Sequence, residues 1–98
     1  MTISIQFVKM PTSEALTAFT EKRLKKLADK YQWLIHAEVY YKLENDTKGK
    51  RICEIELSLP GPKIFALSKE DNFELALKNS LKDVDRQLKK RKETSFNH

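Results

Sequence analysis

Residue types from which catalytic and metal centres are commonly built are scarce in this chain. Its 98 residues include one cysteine, Cys53, together with two histidines and two glycines. A lone cysteine excludes an intrachain disulfide and, without neighbouring cysteines or histidines, does not predict a structural zinc site. No serine, cysteine or carboxylate pattern typical of a triad accompanies His36 or His98, and Gly49 and Gly61 alone do not make a glycine-rich phosphate loop. We therefore expect no enzyme, no cofactor, no metal and no small-molecule substrate.

Long hydrophobic runs are also absent. No stretch approaches the roughly 20 apolar residues that a membrane-spanning helix needs. The N-terminal sequence MTISIQFVKM alternates between apolar and polar residues and lacks the continuous apolar core of a signal peptide. We therefore expect a cytoplasmic protein with no membrane partner, which also suits a single unpaired thiol.

Charge is what the sequence has in abundance. Charged residues make up 34% of the chain, and 19 basic residues against 14 acidic ones leave a formal net charge of +5. Such a surplus favours nucleic acid or an anionic membrane as a partner without distinguishing between them. The length suits one domain with a two-layer core. We assign residues 1–92 to this domain and residues 93–98, which show no pattern, to a disordered tail.

Hydrophobic periodicity predicts the element order β-α-β-β-β-α. The first helix begins where Thr12 or Ser13 can accept a backbone hydrogen bond, and it ends near Tyr31. The predicted strands are residues 2–9, 37–44, 51–59 and 63–68, with a polar turn at 45–49 and a second helix over 71–92.

Alternation in the two central strands predicts an antiparallel hairpin with one buried face. The residues expected inside are Ala37, Val39, Tyr41, Leu43, Cys53, Ile55, Leu57 and Leu59. Two amphipathic helices can cover this face, which gives an α+β two-layer sandwich: a four-stranded sheet with both helices packed on one side, similar to a double-stranded-RNA-binding fold. The opposite sheet face is expected to be wet, and its glutamates Glu38, Glu44, Glu54 and Glu56 would make it opposite in sign to the helices.

The second helix separates into an apolar stripe and a basic side. Residues of the stripe recur at spacings of three and four, the period of one helix face; they are Phe73, Leu77, Leu81, Val84 and Leu88, with Ala76 and Ser80 beside them. The basic side carries Lys78, Lys82, Arg86 and Lys89, flanked by Lys90 and Lys92. The first helix repeats the bias with Lys22, Arg23, Lys25, Lys26 and Lys30. Two neighbouring helices would then form one extended cationic surface suited to the phosphates of a folded RNA.

Four segments in this order resemble a known family. They are RLKKL at residues 23–27, AEVYYKLEN with RICEIELSLPG, IFALSKEDNFELAL, and DRQLKK at residues 85–90. Together they are similar to the ribosome hibernation promoting factor family, also called ribosome-associated inhibitors or ribosomal subunit interface proteins, and the resemblance extends from Ile3 to about Lys92.

The resemblance implies a non-enzymatic factor that occupies the messenger and transfer RNA channel of the small ribosomal subunit in stationary phase or starvation. It implies that Arg23, Lys26, Arg86, Lys89 and Lys90 contact ribosomal RNA phosphates. Helical geometry adds Lys22, Lys78 and Lys82 to this RNA-binding set. We expect a monomer when the protein is free.

The chain is similar to the short members of the family, because it carries neither the C-terminal dimerisation domain of long members nor the acidic tail of some short ones. Whether it promotes or opposes ribosome dimerisation is left open. A general double-stranded RNA-binding module and a small acylphosphatase-like hydrolase are the alternative functions. Trp33 and Tyr40 are candidates for stacking on unpaired bases, whereas Cys53 is expected to be a buried, unreactive thiol.

Overall fold

Six segments of regular structure follow one another in the predicted order. A computed structural model describes residues 1–44 and 49–96, and over these ranges it contains four strands and two helices. They are β1 (Thr2–Phe7), α1 (Glu14–Lys30), β2 (His36–Leu43), β3 (Arg51–Ser58), β4 (Ile64–Glu70) and α2 (Phe73–Phe96). The α+β sandwich expected from the sequence is confirmed.

The strands form one mixed sheet in the order β1-β2-β3-β4. β1 runs parallel to β2, with Ile5 opposite Val39, and the other neighbouring pairs are antiparallel. Parallel neighbours need a crossover connection, which α1 supplies. The predicted β2–β3 hairpin is confirmed, with Val39 opposite Ile55.

The core lies between the sheet and the two helices. All residues expected inside β2 and β3 are buried except Leu43, whose expected burial is wrong. Leu43 is 45% exposed because it is the last residue of β2, at the end of the sheet. In α2 the stripe residues Leu77, Val84 and Leu88 are fully buried, and Phe73 and Leu81 pack partly buried against them. The apolar stripe of α2 therefore attaches this helix to the sheet, and its polar side is left at the surface.

Hydrogen bonds fix both helices on the sheet. The Ser13 hydroxyl caps α1 by accepting from the backbone N–H of Leu16 at 3.1 Å. Inside the core, Thr20 of α1 forms a 2.6 Å hydrogen bond with the Tyr41 hydroxyl of β2. The Ser80 hydroxyl of α2 donates to the Cys53 carbonyl of β3 at 2.8 Å. Each helix thus has a polar contact to a central strand that holds it in one position along the sheet.

α2 continues through Phe96 and therefore includes residues 93–96, which the sequence pattern places in a tail. Asn97 and His98 lie outside the described residues, as do positions 45–48 of the predicted turn. The domain boundary at residue 92 stays a prediction. Within the described ranges, neither helix combines the length and apolar character needed to cross a bilayer.

Candidate nucleic-acid interface

A shallow cavity of about 520 Å³ runs between the exposed sides of α1 and α2, and we call it the inter-helix groove. It is lined by Arg23, Lys26, Leu27, Lys30, Leu75, Lys78, Asn79, Leu81, Lys82 and Asp85. Five of these residues are basic and one is acidic. The groove is therefore a cationic depression whose two walls come from different helices.

Four of the eight residues predicted to bind RNA line this groove: Arg23, Lys26, Lys78 and Lys82. The others, Lys22, Arg86, Lys89 and Lys90, are exposed on the same two helices but do not line it. The structure therefore places half of the predicted set together, with the remaining cations beyond the groove.

Lys30 also lines the groove but was not among the residues predicted to bind RNA. The sequence pattern had already placed Lys30 on the basic side of α1, four positions after Lys26, and this spacing was the signal for adding it to the RNA-binding set. Asp85 of α2 also lines the groove and meets α1 there, which the sequence pattern did not indicate.

Asp85 connects the two helices. Its Oδ2 accepts from Lys30 Nζ at 3.0 Å, and its Oδ1 accepts from the Tyr31 hydroxyl at 2.6 Å. Lys30 and Tyr31 lie at the C-terminal end of α1, whereas Asp85 lies in the middle of α2. A single carboxylate therefore joins the walls at one end of the groove, and it fixes the spacing of the cations on either side.

The titration of these groups reflects the same contacts. Burial of the Asp85 carboxyl opposes its ionisation, but hydrogen bonds from Tyr31 and Lys30 outweigh burial and hold its pKa below the usual value. The pKa of the Tyr31 hydroxyl is raised, first by burial and then by its hydrogen bond to Asp85. At neutral pH the carboxylate is thus ionised and the phenol protonated, which is the pairing that the geometry requires.

The remaining groove cations have no acidic partner among the residues that the structure describes. Arg23, Lys26, Lys78 and Lys82 form no ion pair within 4.0 Å there, and the Arg23 guanidinium lies over the Phe19 ring, 4.9 Å from its centroid. Outside the groove, Arg86 pairs with Asp83 one turn away on the same helix. The groove therefore keeps most of its positive charge available to an external anion.

The outer face of the sheet is different, because its acidic residues are paired. Each of its four predicted glutamates has a cationic or imidazole partner. The pairs are Glu38 with His36, Glu44 with Lys69, Glu54 with Lys42, and Glu56 with Lys63. The three lysine pairs join different segments of the chain, whereas His36 and Glu38 lie two positions apart on β2.

The two aromatic candidates lie on opposite sides of the molecule. Tyr40 is on the outer sheet face, where Lys42 Nζ lies 5.6 Å from its ring centroid. Trp33 follows α1 and packs edge-on against Tyr31, with ring centroids 5.7 Å apart. Of these two residues, Trp33 lies on the side of the molecule that carries the groove, and Tyr40 does not.

His36 has partners that the sequence did not indicate. Its Nδ1 is within hydrogen-bond distance of the Thr2 hydroxyl, and its Nε2 lies 3.0 Å from Glu38 Oε1. The contact with Thr2 exists because β1 and β2 are parallel with Thr2 opposite His36. The three side chains form a hydroxyl–imidazole–carboxylate chain on the open sheet face, where they join β1 to β2.

Comparison with known proteins identifies the family. The family model described as sigma 54 modulation protein / S30EA ribosomal protein matches residues 3–95. The chain belongs to this family. The S30EA family is ribosome-associated and non-enzymatic, so the resemblance to hibernation factors is confirmed and the hydrolase alternative is not supported. A comparison with curated protein sequences gave no match.

Solved structures share the S30EA fold. A ribosomal subunit interface protein from Coxiella burnetii superposes with a TM-score of 0.84 at 23% identity, over 94% of this chain and 98% of that one. The N-terminal domain of Protein Y from Thermus thermophilus superposes with a TM-score of 0.74 at 20% identity, over 91% of this chain and 93% of that one. At these identities the likeness establishes the architecture.

Proposed function

We propose that this protein is a ribosome hibernation factor that binds the small ribosomal subunit and excludes messenger and transfer RNA from their channel during starvation or stationary phase. The inter-helix groove and the flanking cations of α2 would contact ribosomal RNA phosphates. Inhibition would follow from occupied volume and charge, with no covalent chemistry. The protein would act in the cytoplasm as a monomer.

One observation carries this proposal: apart from Lys30, the groove cations have no acidic partner among the described residues, whereas Lys42, Lys63 and Lys69 on the sheet side have one. Lys42, Lys63 and Lys69 each pair with a glutamate, so their charge is largely cancelled locally. Lys78 and Lys82 have no such partner among the described residues. An unpaired lysine can release the counterions of a phosphate backbone without first breaking an internal ion pair.

The shape of the groove supports a folded RNA as the ligand. Its walls belong to two helices, so phosphates from two nearby backbone segments can be neutralised at once. Apolar side chains of Leu27 and Leu81 lie between the cations, and Asp85 holds the walls together. Because the S30EA family is ribosome-associated, ribosomal RNA is the RNA that we propose as the ligand.

The test compares two variants with the same change in net charge. Lys78→Gln with Lys82→Gln removes two groove cations, and Lys63→Gln with Lys69→Gln removes two lysines of the sheet side. Each phosphate contact contributes about 0.9 to the slope of log affinity against log salt. For the groove variant, the slope should therefore be smaller in magnitude by about 1.8. When salt is raised from about 50 to about 200 mM, the factor by which its affinity decreases should be about 12 times smaller than for the unmodified protein.

Binding is measured by co-sedimentation with purified small subunits in sucrose gradients at several salt concentrations. We expect the groove variant to bind more weakly with a shallower slope, and the sheet variant to match the unmodified protein. Equal losses in both variants would show that overall charge, rather than the groove, drives binding. Equal affinity for plain duplex RNA and for intact subunits would favour the general RNA-binding alternative instead.

A further inference from the structure

Between its cations, the inter-helix groove carries apolar side chains that the binding of phosphates does not use. Leu27, Leu75 and Leu81 line the groove, and we call them the apolar strip. Leu75 is the most exposed of the three, at 40%. A phosphate gains nothing from contact with an apolar side chain, whereas an apolar group of a ligand gains free energy when it leaves water there. The groove therefore has a second binding property besides its charge.

Cations flank the apolar strip on both sides. Arg23 and Lys26 come from α1, and Lys78 and Lys82 come from α2. Lys78 and Lys82 follow Leu75 by three and seven positions, so these three residues share one side of α2. None of the four cations forms an ion pair within 4.0 Å among the described residues. A complementary ligand has an apolar side chain with acidic groups on either side of it.

The length of the groove sets the size of such a ligand. Leu75 and Asp85 are the first and last residues of α2 that line the groove, and they lie ten positions apart. Ten residues of helix extend over about 15 Å, which a ligand of about three helical turns or about five extended residues would cover. The cavity volume of about 520 Å³ is within the range of about 300–1,000 Å³ for ligand pockets. A short protein segment fits these dimensions.

We infer that the inter-helix groove also binds a short acidic segment of a partner protein, which places one apolar side chain on Leu75 and its carboxylates on the groove cations. Docking of an amphipathic segment into an apolar groove is a recurring mode of peptide recognition. Opposite charge speeds the encounter, and the apolar contact distinguishes the segment from RNA.

This inference rests on the proposed function, because it makes the acidic segment a competitor of ribosomal RNA for the same cations. The small subunit and the segment would exclude each other. A partner protein that carries such a segment would therefore keep this protein off the ribosome, or release it.

Two synthetic peptides of ten residues test the inference. Both are rich in glutamate and have the same net charge, but one has a central leucine where the other has serine. Fluorescence anisotropy of the labelled peptides measures their binding to the unmodified protein. We expect the leucine peptide to bind about 10-fold more tightly, which is the factor that corresponds to burial of one such side chain. Equal affinities would show that charge alone is recognised and would overturn the inference.

Leu75→Ser locates the apolar contact. Burial of the exposed 40% of Leu75 corresponds to about a 3- to 8-fold gain in affinity. We expect the variant to lose this factor for the leucine peptide and to bind the serine peptide as the unmodified protein does. Leu67→Ser is the matched control, because Leu67 is 43% exposed but lies on β4, outside the groove. Equal losses in the two variants would contradict the assigned site.

Circular dichroism establishes that both variants are folded. If Leu75→Ser is not folded, the comparison of the two peptides on the unmodified protein still decides.

Competition on the small subunit separates failure of this inference from failure of the proposed function. In sucrose gradients, an excess of the leucine peptide should displace the unmodified protein from subunits, and the same concentration of the serine peptide should displace less of it. If the protein sediments with subunits and bound leucine peptide does not displace it, the inferred competition is refuted while ribosome binding stands. If the protein does not sediment with subunits in the absence of peptide, the proposed function itself fails.

Discussion

Asp85 offers a direct test of how the two basic helices are held together. Replacing it with asparagine keeps the shape of the side chain but removes the negative charge that Lys30 and Tyr31 share. The Lys30 ammonium is largely in solvent, with 56% of its side chain exposed, so its contribution to stability is expected to be small. The hydroxyl of Tyr31, whose residue is 2% exposed, is the partner that matters.

The magnitude follows from the environment of the Tyr31–Asp85 contact. A hydrogen bond to a charged group contributes about 1.5–3 kcal/mol. Because 38% of the Asp85 side chain is exposed, solvent screening places the contribution of the Tyr31–Asp85 hydrogen bond near or below the lower end of this range. In the variant, the asparagine oxygen still accepts a weaker hydrogen bond from Tyr31. We expect Asp85→Asn to lower the free energy of unfolding by about 1 kcal/mol, which corresponds to a decrease in Tm of about 4–8 °C.

Urea unfolding followed by circular dichroism measures the effect, and a double-mutant cycle with Tyr31→Phe isolates the contact. The coupling energy should also be about 1 kcal/mol. Asp83→Asn serves as the control, because it removes a carboxylate from the same helix whose partner, Arg86, is one turn away rather than on α1. The control should be close to neutral.

The pH dependence has a defined sign. The folded-state pKa of Asp85 lies below the ordinary value of 3.8, so its stabilisation is present above pH 3.8 and is lost as the pH falls through the folded-state pKa. The difference between the unmodified protein and Asp85→Asn should therefore shrink at acid pH. Additive effects of the two substitutions, or a difference that persists after the carboxyl is protonated, would refute the role assigned to this bridge.

Two further predictions concern the core and a turn. Burial raises the pKa of the Cys53 thiol from 9.0 to about 12. At pH 8 the thiolate fraction of Cys53 is therefore about a thousandfold lower than that of an exposed cysteine. A disulfide reagent such as DTNB should react with Cys53 only after urea is added, and rapid reaction of the folded protein would contradict the assigned burial. Gly61→Ala should lower the free energy of unfolding by about 1 kcal/mol, because φ at this position is +93°. The nearest atom to an added Cβ is Arg91 Nη1 at 3.5 Å, which is an ordinary van der Waals contact. The loss of stability would therefore come from the backbone conformation. Unchanged stability would show that the turn has another conformation.

Local patterns were sufficient for most of the fold. The alternation of Val39 and Tyr41 with polar neighbours predicted both a strand and its buried side, since side chains on a strand alternate between two faces. Leu43 follows the same alternation and is nevertheless exposed, because burial also depends on whether a helix covers that end of the sheet. The extension of α2 beyond Lys92 was missed for a related reason: residues 93–96 carry no apolar stripe, and helical hydrogen bonds can continue without one.

The candidate site was predicted less completely. Helical spacing correctly brought Arg23 and Lys26 to one side of α1, and Lys78 and Lys82 to one side of α2. It did not indicate that Asp85 would meet α1. That pairing depends on how the two helices lie across the sheet, which the sequence of either helix does not contain.

The amino-acid sequence by itself determined the elements, their order, their buried faces and the excess of positive charge on the two helices, because each of these is a property of neighbouring residues. The tertiary structure decided which charges remain available. It pairs three outer-sheet glutamates with lysines from other segments of the chain, places Lys30 and Asp85 in contact across 55 positions, and brings Trp33 beside Lys30, which lines the groove. The physical reason is that electrostatic interactions act through space, so the charge pattern of a surface is known only when strand register and helix placement are known.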